Sequence, residues 1–363
     1  MYKQRITKKF SKLQSQPIVT VLGIETSCDE TAVSIVRNGT EVVSDILYSQ
    51  ADTHSIFGGV VPEIASRAHA EKIIPLVETV LGGANLTLGD IDAIAVTTNP
   101  GLIGALIVGV SAAKALSYAA QIPLVSVNHI EGHICANFLE CEPNSQGASG
   151  EYNSHTAPAS PFVAVVVSGG HTAIYRVDDY TVYTYLGGTS DDAIGECFDK
   201  VARVLGLPYP GGPEIDKLAK SGIPSISLYK KPKVVRDDHK LSYSGLKTAA
   251  INYLHNSKQK GETVDINDFC ASLTAAAVDL LIDTVISATI KNGLDTIAIA
   301  GGVAANSYLR NKLPQRAETH GISVKIPPLR YCTDNAAMIA SRAYYSIKKG
   351  QDLCDLDLNA GIV

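Results

Sequence analysis

The sequence predicts an α/β protein built from two related halves. Residues 19–36 form an apolar segment, a short polar turn and a second alternating segment, and 161–175 repeat that outline. Residues 91–106 have the pattern of a buried strand, a glycine loop and a helix, and 294–309 repeat it. A hairpin followed by a strand–loop–helix unit therefore occurs twice, which favours a duplicated fold over a single sheet.

The elements between these repeats follow from local patterns. The apolar run 123–127 predicts a strand that leads directly into the histidine-containing segment 128–133. Residues 192–205 place apolar side chains on one face and charged ones on another, as an amphipathic helix does. The turn residues at 209–213 (YPGGP) then predict a rigid turn into another helix.

The repeats also suggest the domain boundaries. We expect a first half formed by 19–128 and 336–363 and a second half formed by 129–335. Residues 1–18 would be a basic extension, and the polar, turn-forming stretch 141–160 an exposed loop. Ligands commonly bind in the cleft between two such halves.

Composition limits the class of protein. A chain of 363 residues, 45% hydrophobic and 18% charged, can bury a sizeable core. The longest apolar stretch, 101–120, is interrupted by glycines, serines and Lys114, so we expect no membrane span. Seven cysteines without a C-x-x-C pair do not indicate a disulfide framework, and a reducing cytoplasm fits best.

The charge distribution gives no general attraction for nucleic acid, because the net charge is −5. RNA would need a local patch, and the densest one, 229–240, is interpreted most simply as a solvated loop. The first sixteen residues carry basic but no acidic side chains. We interpret them as a solvated extension in preference to an organellar targeting arm.

Two histidines four residues apart suggest a metal site. On a helix, His129 and His133 would lie on one face, close enough to hold one ion. They could equally be unrelated polar residues at a strand end, so a third ligand is needed. Asp334, where a loop meets an apolar helix, could be a helix cap or could complete a two-histidine, one-carboxylate set that iron(II) accepts.

Glycine loops suggest a nucleotide. The loop Ser168-Gly169-Gly170 joins two strands, and its amides could face an anion, although a tight hairpin turn explains the glycines equally well. The matching loop at 301–302, followed by Asn306, shifts the balance toward nucleotide binding. The acidic face of the helix at 192–205 is explained most simply as a solvated surface.

A zinc-protease interpretation has to be considered because H-x-E-x-H resembles H-E-x-x-H. In the protease pattern the glutamate directly follows the first histidine, whereas Glu131 comes two residues after His129. Glu131 would lie about 200° around a helix from His129, so it would point away from a metal-bound water.

Six motifs together resemble the bacterial-type tRNA N6-adenosine threonylcarbamoyltransferase family, TsaD, of glycoprotease-like proteins. They occur in order between about 19 and 343 and are 23–31 (GIETSCDET), 128–133 (NHIEGH), 168–172 (SGGHT), 191–200 (DDAIGECFDK), 242–248 (SYSGLKT) and 301–306 (GGVAAN). The resemblance implies the duplicated actin-like, hexokinase-like and Hsp70-like ATPase fold. It also implies an acyltransferase that moves threonylcarbamoyl from threonylcarbamoyl-AMP to tRNA.

The resemblance assigns residues and partners as well. One iron(II) per subunit would be bound by His129, His133 and Asp334. The adenylate would be held by Val166, Val167, Ser168, Gly169, Gly170, Asp199, Gly212, Asp216 and Asn306. Partners would be tRNA, a paralogous TsaB-like subunit and a TsaE-like small ATPase.

Two features depart from the family pattern, and the catalytic residue stays unassigned. Tyr243 replaces a common phenylalanine, and the 141–160 loop is longer than usual, but neither touches a ligand implied by the resemblance. Asp192 or Glu196 could act as a general base, and no spacing selects one. A small-molecule kinase of the same fold, which normally has aspartate at the position of Glu25, and a non-enzymatic scaffold are the rival functions.

Overall fold

A computed structural model describes residues 2–140, 157–228 and 239–361. It divides the chain into two compact units, one of 1–157 with 327–363 and one of 158–326. Most of the expected loop at 141–160 and of the basic patch at 229–240 lies outside the described residues.

The strands of the described chain are β1 (Thr20–Glu25), β2 (Glu30–Arg37), β3 (Glu41–Ser49), β4 (Ala93–Asn99), β5 (Leu124–Asn128), β6 (Phe162–Val167), β7 (Thr172–Asp179), β8 (Val182–Gly188), β9 (Thr296–Ala300), β10 (Ser323–Lys325) and β11 (Leu353–Cys354). The α-helices are α1 (Tyr2–Leu13), α2 (Ala51–Ser55), α3 (Pro62–Gly83), α4 (Ile103–Ala120), α5 (His129–Cys135), α6 (Ile194–Val204), α7 (Gly211–Ala219), α8 (Ser244–Lys260), α9 (Ile266–Lys291), α10 (Ser307–Glu318) and α11 (Ala336–Lys349).

The two units repeat one sheet topology. The first sheet has the order β11-β5-β4-β1-β2-β3 and the second the order β10-β9-β6-β7-β8. In each, three antiparallel strands form a meander whose first strand is also paired in parallel with a later one, β1 with β4 and β6 with β9. The predicted duplication of a hairpin and a strand–loop–helix unit is therefore confirmed.

The first unit has helices on both faces of its sheet. Successive residues of β1 point to opposite faces, so Val21 joins the core beneath α11, whereas Leu22 joins the core beneath α3 and α4. Gly23 allows α11 to pack directly on β1, since a Cβ there would lie 2.3 Å from the carbonyl oxygen of Ala336. This close approach fixes the amino-terminal end of α11 above the sheet.

The unit boundaries differ from the expected ones. The sequence predicts them after 128 and before 336, but among the described residues, 129–140 and 327–335 belong to the first unit. The reason is packing: Ala136, Leu139 and Tyr331 share one hydrophobic core with α11.

The amino-terminal segment is not a solvated extension. Residues Tyr2–Leu13 form α1, and Ile6, Phe10 and Leu13 are buried on one side of it. Phe10 and Leu13 enter the same core as α11. The expectation was wrong because it weighed the charges and overlooked the i, i+4, i+7 spacing of these three apolar residues.

Within the described ranges, two helices are long and apolar enough to cross a membrane by length and composition. In α9, 72% of the most apolar 18-residue segment is buried inside the protein, as is common for a core helix. In α4, 33% of the corresponding segment is buried. One face of α4 packs on α3 and β4, where Leu106 and Val110 are buried.

Candidate functional site

The two histidines lie on one face of a short helix, as their spacing predicts. The helix α5 begins directly after β5, and the side chain of Asn128 caps it by accepting the backbone N–H groups of Ile130 and Glu131 at 2.8 and 3.3 Å. The four-residue step brings the rings of His129 and His133 to a centroid distance of 4.6 Å. Both side chains are buried.

Asp334 completes a group that could hold a metal ion. Its Oδ1 lies 3.1 Å from His133 Nε2 and 3.5 Å from His129 Nε2. The three ligand atoms lie within 4.8 Å of one another. Two ligand atoms that each lie about 2.1 Å from one ion are at most about 4.2 Å apart. The three ligand atoms would therefore need to move only slightly closer together to bind a single ion. Asn335, and not Asp334, caps α11 by accepting the N–H of Met338, so helix capping does not explain Asp334.

His133 shows that the group suits a cation. By geometry, both of its ring nitrogens are buried without a hydrogen-bond partner among the described residues, and Nε2 lies 3.1 Å from Asp334 Oδ1. Leaving a buried polar atom unpaired costs about 1–3 kcal/mol, which coordination would offset. Burial, helped by the charge of His129, lowers the pKa of His133, so this imidazole is neutral and has a lone pair to donate.

Glu25 orients the other histidine, and sequence reasoning did not find this role. Its Oε2 lies 3.1 Å from His129 Nδ1 and accepts the hydroxyl of Thr97, while Oε1 accepts the N–H of Ser27. Burial acts to raise the pKa of Glu25, but the charge of His129 outweighs it and the pKa is lowered. A carboxylate on Nδ1 fixes the ring so that Nε2 faces Asp334. The available signal was an acidic residue at the end of an otherwise buried strand.

The electrostatics of the group favour positive charge. Burial acts to lower the pKa of His129, but the carboxylates of Asp334 and Glu25 raise it to about 9. A proton on His129 therefore balances the buried carboxylate of Glu25 and the partly buried one of Asp334. A divalent cation could take over that function. Two imidazoles and one carboxylate form a donor set that accepts iron(II) with open coordination positions.

Glu131 is engaged elsewhere, which removes the support for a zinc protease. Its Oε2 accepts a hydrogen bond from the Nε–H of the buried Arg342 at 2.8 Å and forms an ion pair with a terminal nitrogen of the same side chain at 2.7 Å. It is not part of the group formed by His129, His133 and Asp334.

In the second unit, the glycine loop between β6 and β7 has an exposed backbone with free space around its glycines. Two hydrogen bonds hold the turn of this loop. The N–H of Ser168 donates to the carbonyl oxygen of His171 at 2.8 Å, and the N–H of His171 donates to Ser168 Oγ at 3.1 Å. A Cβ on Gly169, Gly170 or Gly212 would meet no atom within 4 Å, and none of the three has a positive φ. The fold itself does not require glycine at these positions, and the lack of side chains leaves the backbone accessible to a ligand.

A second glycine loop lies against the first. Gly301 has φ +89°, and a Cβ there would lie 2.4 Å from the carbonyl oxygen of Val167. A Cβ on Gly195, at the start of α6, would lie 2.8 Å from the Cα of Gly169. Thus the end of β6, with Val166 and Val167, the loop after β9 and the start of α6 meet in one place.

The polar residues assigned to the adenylate also organise helix ends here. Asp199 Oδ1 accepts the N–H groups of Gly211 and Gly212 at 2.8 and 3.2 Å. Asp216 Oδ1 accepts the N–H and hydroxyl of Ser307 at 2.9 and 2.8 Å, and Asn306 caps α10. These contacts tie α6 to α7 and α7 to α10 and hold the amino-terminal ends of α7 and α10. Their role toward a ligand stays a prediction.

The two candidate general bases form ion pairs. Asp192 contacts Lys247 and Lys200, and Glu196 lies 2.6 Å from Lys200. Burial acts to raise the pKa of Asp192, but hydrogen bonds from Lys247 and Lys200 outweigh it and lower the pKa. A carboxylate stabilised in this way is a weaker proton acceptor.

Comparison with known proteins identifies the family. The family model for TsaD, tRNA N6-adenosine threonylcarbamoyltransferase, matches residues 41–341. A protein of that name from Caldicellulosiruptor saccharolyticus is 49% identical over 331 residues, which cover 91% of this chain and 94% of the relative. The chain belongs to the tRNA N6-adenosine threonylcarbamoyltransferase (TsaD) family. A relative of the same name from Clostridium botulinum is 48% identical over 342 residues, or 94% of this chain and 96% of the relative.

Solved structures place this TsaD-family chain in the actin-like ATPase fold. HypF from T. kodakarensis matches with a TM-score of 0.58 at 12% identity, covering 92% of this chain and 48% of HypF. Component A of the (R)-2-hydroxyglutaryl-CoA dehydratase from Acidaminococcus fermentans matches with a TM-score of 0.52 at 16% identity. The match covers 91% of this chain and 99% of component A. The predicted fold and family are confirmed, and neither the kinase nor the protease alternative is favoured.

Proposed function

We propose that this TsaD-family chain transfers the threonylcarbamoyl group from threonylcarbamoyl-AMP to N6 of the adenosine 3′ of the anticodon, in tRNAs reading codons that begin with A. The products are threonylcarbamoyladenosine and AMP. The observation that carries the proposal is the grouping of two buried histidines, His129 and His133, with Asp334 in a chain of this family.

The chemistry asks little of a covalent catalyst. The donor is a mixed carbamic–phosphoric anhydride, so its carbonyl carbon is already activated and AMP is a good leaving group. A bond forms from N6 to the carbonyl carbon, the bond from that carbon to the phosphate oxygen breaks, and N6 loses a proton. Positioning and charge stabilisation are therefore the main tasks of the protein.

The second unit supplies the adenylate site in this proposal. Gly169 and Gly170 are exposed and a Cβ on either would meet open space, so their backbone amides could face the phosphate. Asp199, Asp216 and Asn306 hold the ends of α7 and α10, which keeps Gly212 beside the site.

The first unit supplies the metal centre, and we assign it one iron(II) per chain. When bound, iron(II) would act as a Lewis acid toward the threonylcarbamoyl oxygens. His133 would donate a neutral imidazole nitrogen, His129 would do so after losing its proton to solvent, and Asp334 would donate a carboxylate oxygen, while Glu25 holds the ring of His129 in position.

No residue is assigned as general base. The ion pairs of Asp192 and Glu196 with Lys200 argue against both. As partners we propose a paralogous TsaB-like subunit and a TsaE-like small ATPase, and we place the protein in the cytoplasm, where its tRNA substrate would be available.

Reconstitution tests the proposal. Unmodified tRNA, L-threonine, bicarbonate and ATP would be incubated with a threonylcarbamoyl-AMP synthase, the partner subunits and this chain, and the digested nucleosides analysed by mass spectrometry. We expect threonylcarbamoyladenosine only when this chain is present. A lack of product while the synthase demonstrably makes the adenylate would contradict the proposal and favour a kinase or scaffold.

A further inference from the structure

The helix α1 is a firmly docked element with no role in the sites described above. Its buried side chains Ile6, Phe10 and Leu13 pack on the first unit. At its start, the hydroxyl of Tyr2 lies 2.6 Å from Ser117 Oγ, and the Tyr2 ring contacts that of Tyr118. These contacts fix the rotation of the helix about its axis.

Both ends of α1 are held by polar contacts as well. Lys3 forms an ion pair with Asp355 at 3.2 Å. At the other end, Lys348 Nζ donates to the carbonyl oxygens of Leu13 and Gln16 at 3.1 and 2.6 Å. The side chains on the outer face of α1 therefore start from fixed backbone positions.

That outer face is a basic stripe, defined as Arg5, Lys8, Lys9 and Lys12. All four residues are exposed, and within the described parts of the chain none of them forms an ion pair. At 100° per residue they lie within an arc of about 100° and extend about 10 Å along the axis. Residues 1–16 contain no acidic side chain.

The charge of the stripe contrasts with that of the whole chain, which is −5. Four cations without carboxylate partners on one rigid helix attract a polyanion locally, although the protein as a whole does not. The proposed function supplies such a polyanion, because the phosphates of an RNA duplex or loop are closely spaced along its backbone.

We propose that the basic stripe of α1 binds the phosphate backbone of the tRNA substrate. The inference rests on the proposed function and adds a binding surface to it. Asp334 lies two residues before the start of α11, whereas Lys348, which contacts α1, lies in the last turn of α11. A helix of 14 residues is about 21 Å long, so the stripe contacts RNA far from the metal ligands. It positions the tRNA and takes no part in the chemistry.

Salt-dependent binding of unmodified tRNA to the full chain tests this surface. The stripe variant carries Arg5→Gln, Lys8→Gln, Lys9→Gln and Lys12→Gln. The control variant makes the same charge change at exposed residues of the second unit, with Arg203→Gln, Lys217→Gln, Lys258→Gln and Lys260→Gln. Each phosphate contact contributes about 0.7–0.9 to the slope of log K against log salt, so losing all four contacts should reduce the magnitude of that slope by up to about 3.6.

We expect the stripe variant to bind tRNA at least about tenfold more weakly at 0.1 M salt, and the control variant to stay close to the unaltered protein. In the reconstituted reaction, KM for tRNA should rise while kcat is retained. A charge-conserving variant, with Arg5→Lys and arginine at the three lysine positions, should restore binding. Circular dichroism would show that all variants keep the same fold.

Three results would overturn the inference. One is an unchanged salt slope in the stripe variant, and another is an equal loss in the control variant. The third is a loss of binding to vesicles of anionic phospholipid with tRNA binding intact, which would assign the stripe to a membrane surface. If the unaltered chain neither binds nor modifies tRNA, the proposed function fails as well. If it modifies tRNA and the stripe variant equals it in affinity and KM, only the inference fails.

Discussion

Replacing Tyr243 by phenylalanine should stabilise the second unit. The side chain of Tyr243 is fully buried, and its hydroxyl has no hydrogen-bond partner among the described residues. Burial raises the pKa of this phenol well above its usual range, so the group stays uncharged. An unpaired buried hydroxyl costs about 1–3 kcal/mol, and phenylalanine keeps the ring while removing that cost. Because the lost oxygen leaves a small gap, we expect a net gain of about 1 kcal/mol.

Thermal unfolding followed by circular dichroism measures the effect. For a unit of this size, about 1 kcal/mol corresponds to a rise in Tm of roughly 2–4 °C. The matched control is Tyr183→Phe in the same unit, because the hydroxyl of Tyr183 donates to the carbonyl of Tyr180 at 2.6 Å. That variant should lose about 1 kcal/mol. If Tyr243→Phe lowered Tm as the control does, the hydroxyl would have a stabilising partner and the reasoning would be refuted.

Three further substitutions test other parts of the structure. Glu25→Gln should weaken metal binding about 10- to 100-fold in a chelator competition, because the carboxylate orienting His129 is lost; an unchanged affinity would contradict that role. Gly170→Ala should raise KM for the adenylate without lowering Tm. The control Gly82→Ala adds a Cβ to open space within α3, so it should leave KM unchanged and raise Tm slightly; equal KM values in the two variants would count against the loop. Phe10→Ala should cost about 3–5 kcal/mol in unfolding experiments, and a loss below about 0.5 kcal/mol would show that α1 is not docked.

The duplicated fold could be predicted because its signals are local. The hairpin at β1 and β2 and its repeat at β6 and β7 show alternating apolar residues bounded by a turn, and the structure pairs both as antiparallel strands. The position of α5 could not be predicted in the same way. It depends on packing against α11, which is about 200 residues away in the chain, and no local pattern encodes that contact.

The candidate metal centre was predictable to a similar extent. The spacing of His129 and His133 places both rings on one helical face, which is a property of the helix alone. Asp334 reaches them only because α11 packs beside α5, so the sequence could offer capping as an equal explanation. Glu25 was missed because its role requires β1 and α5 to be adjacent, and charge alone does not show which carboxylate lies behind an imidazole.

The most direct test of the central claim measures iron content and transfer in the same preparations. The unaltered chain, His133→Ala and, as control, the exposed His255→Ala would be purified without oxygen, loaded with iron(II), analysed for bound iron and assayed in the reconstituted reaction. We predict that His133→Ala loses bound iron and threonylcarbamoyladenosine formation together, while His255→Ala keeps both. Full product formation by an iron-free His133→Ala variant would contradict a metal-dependent transfer at this site.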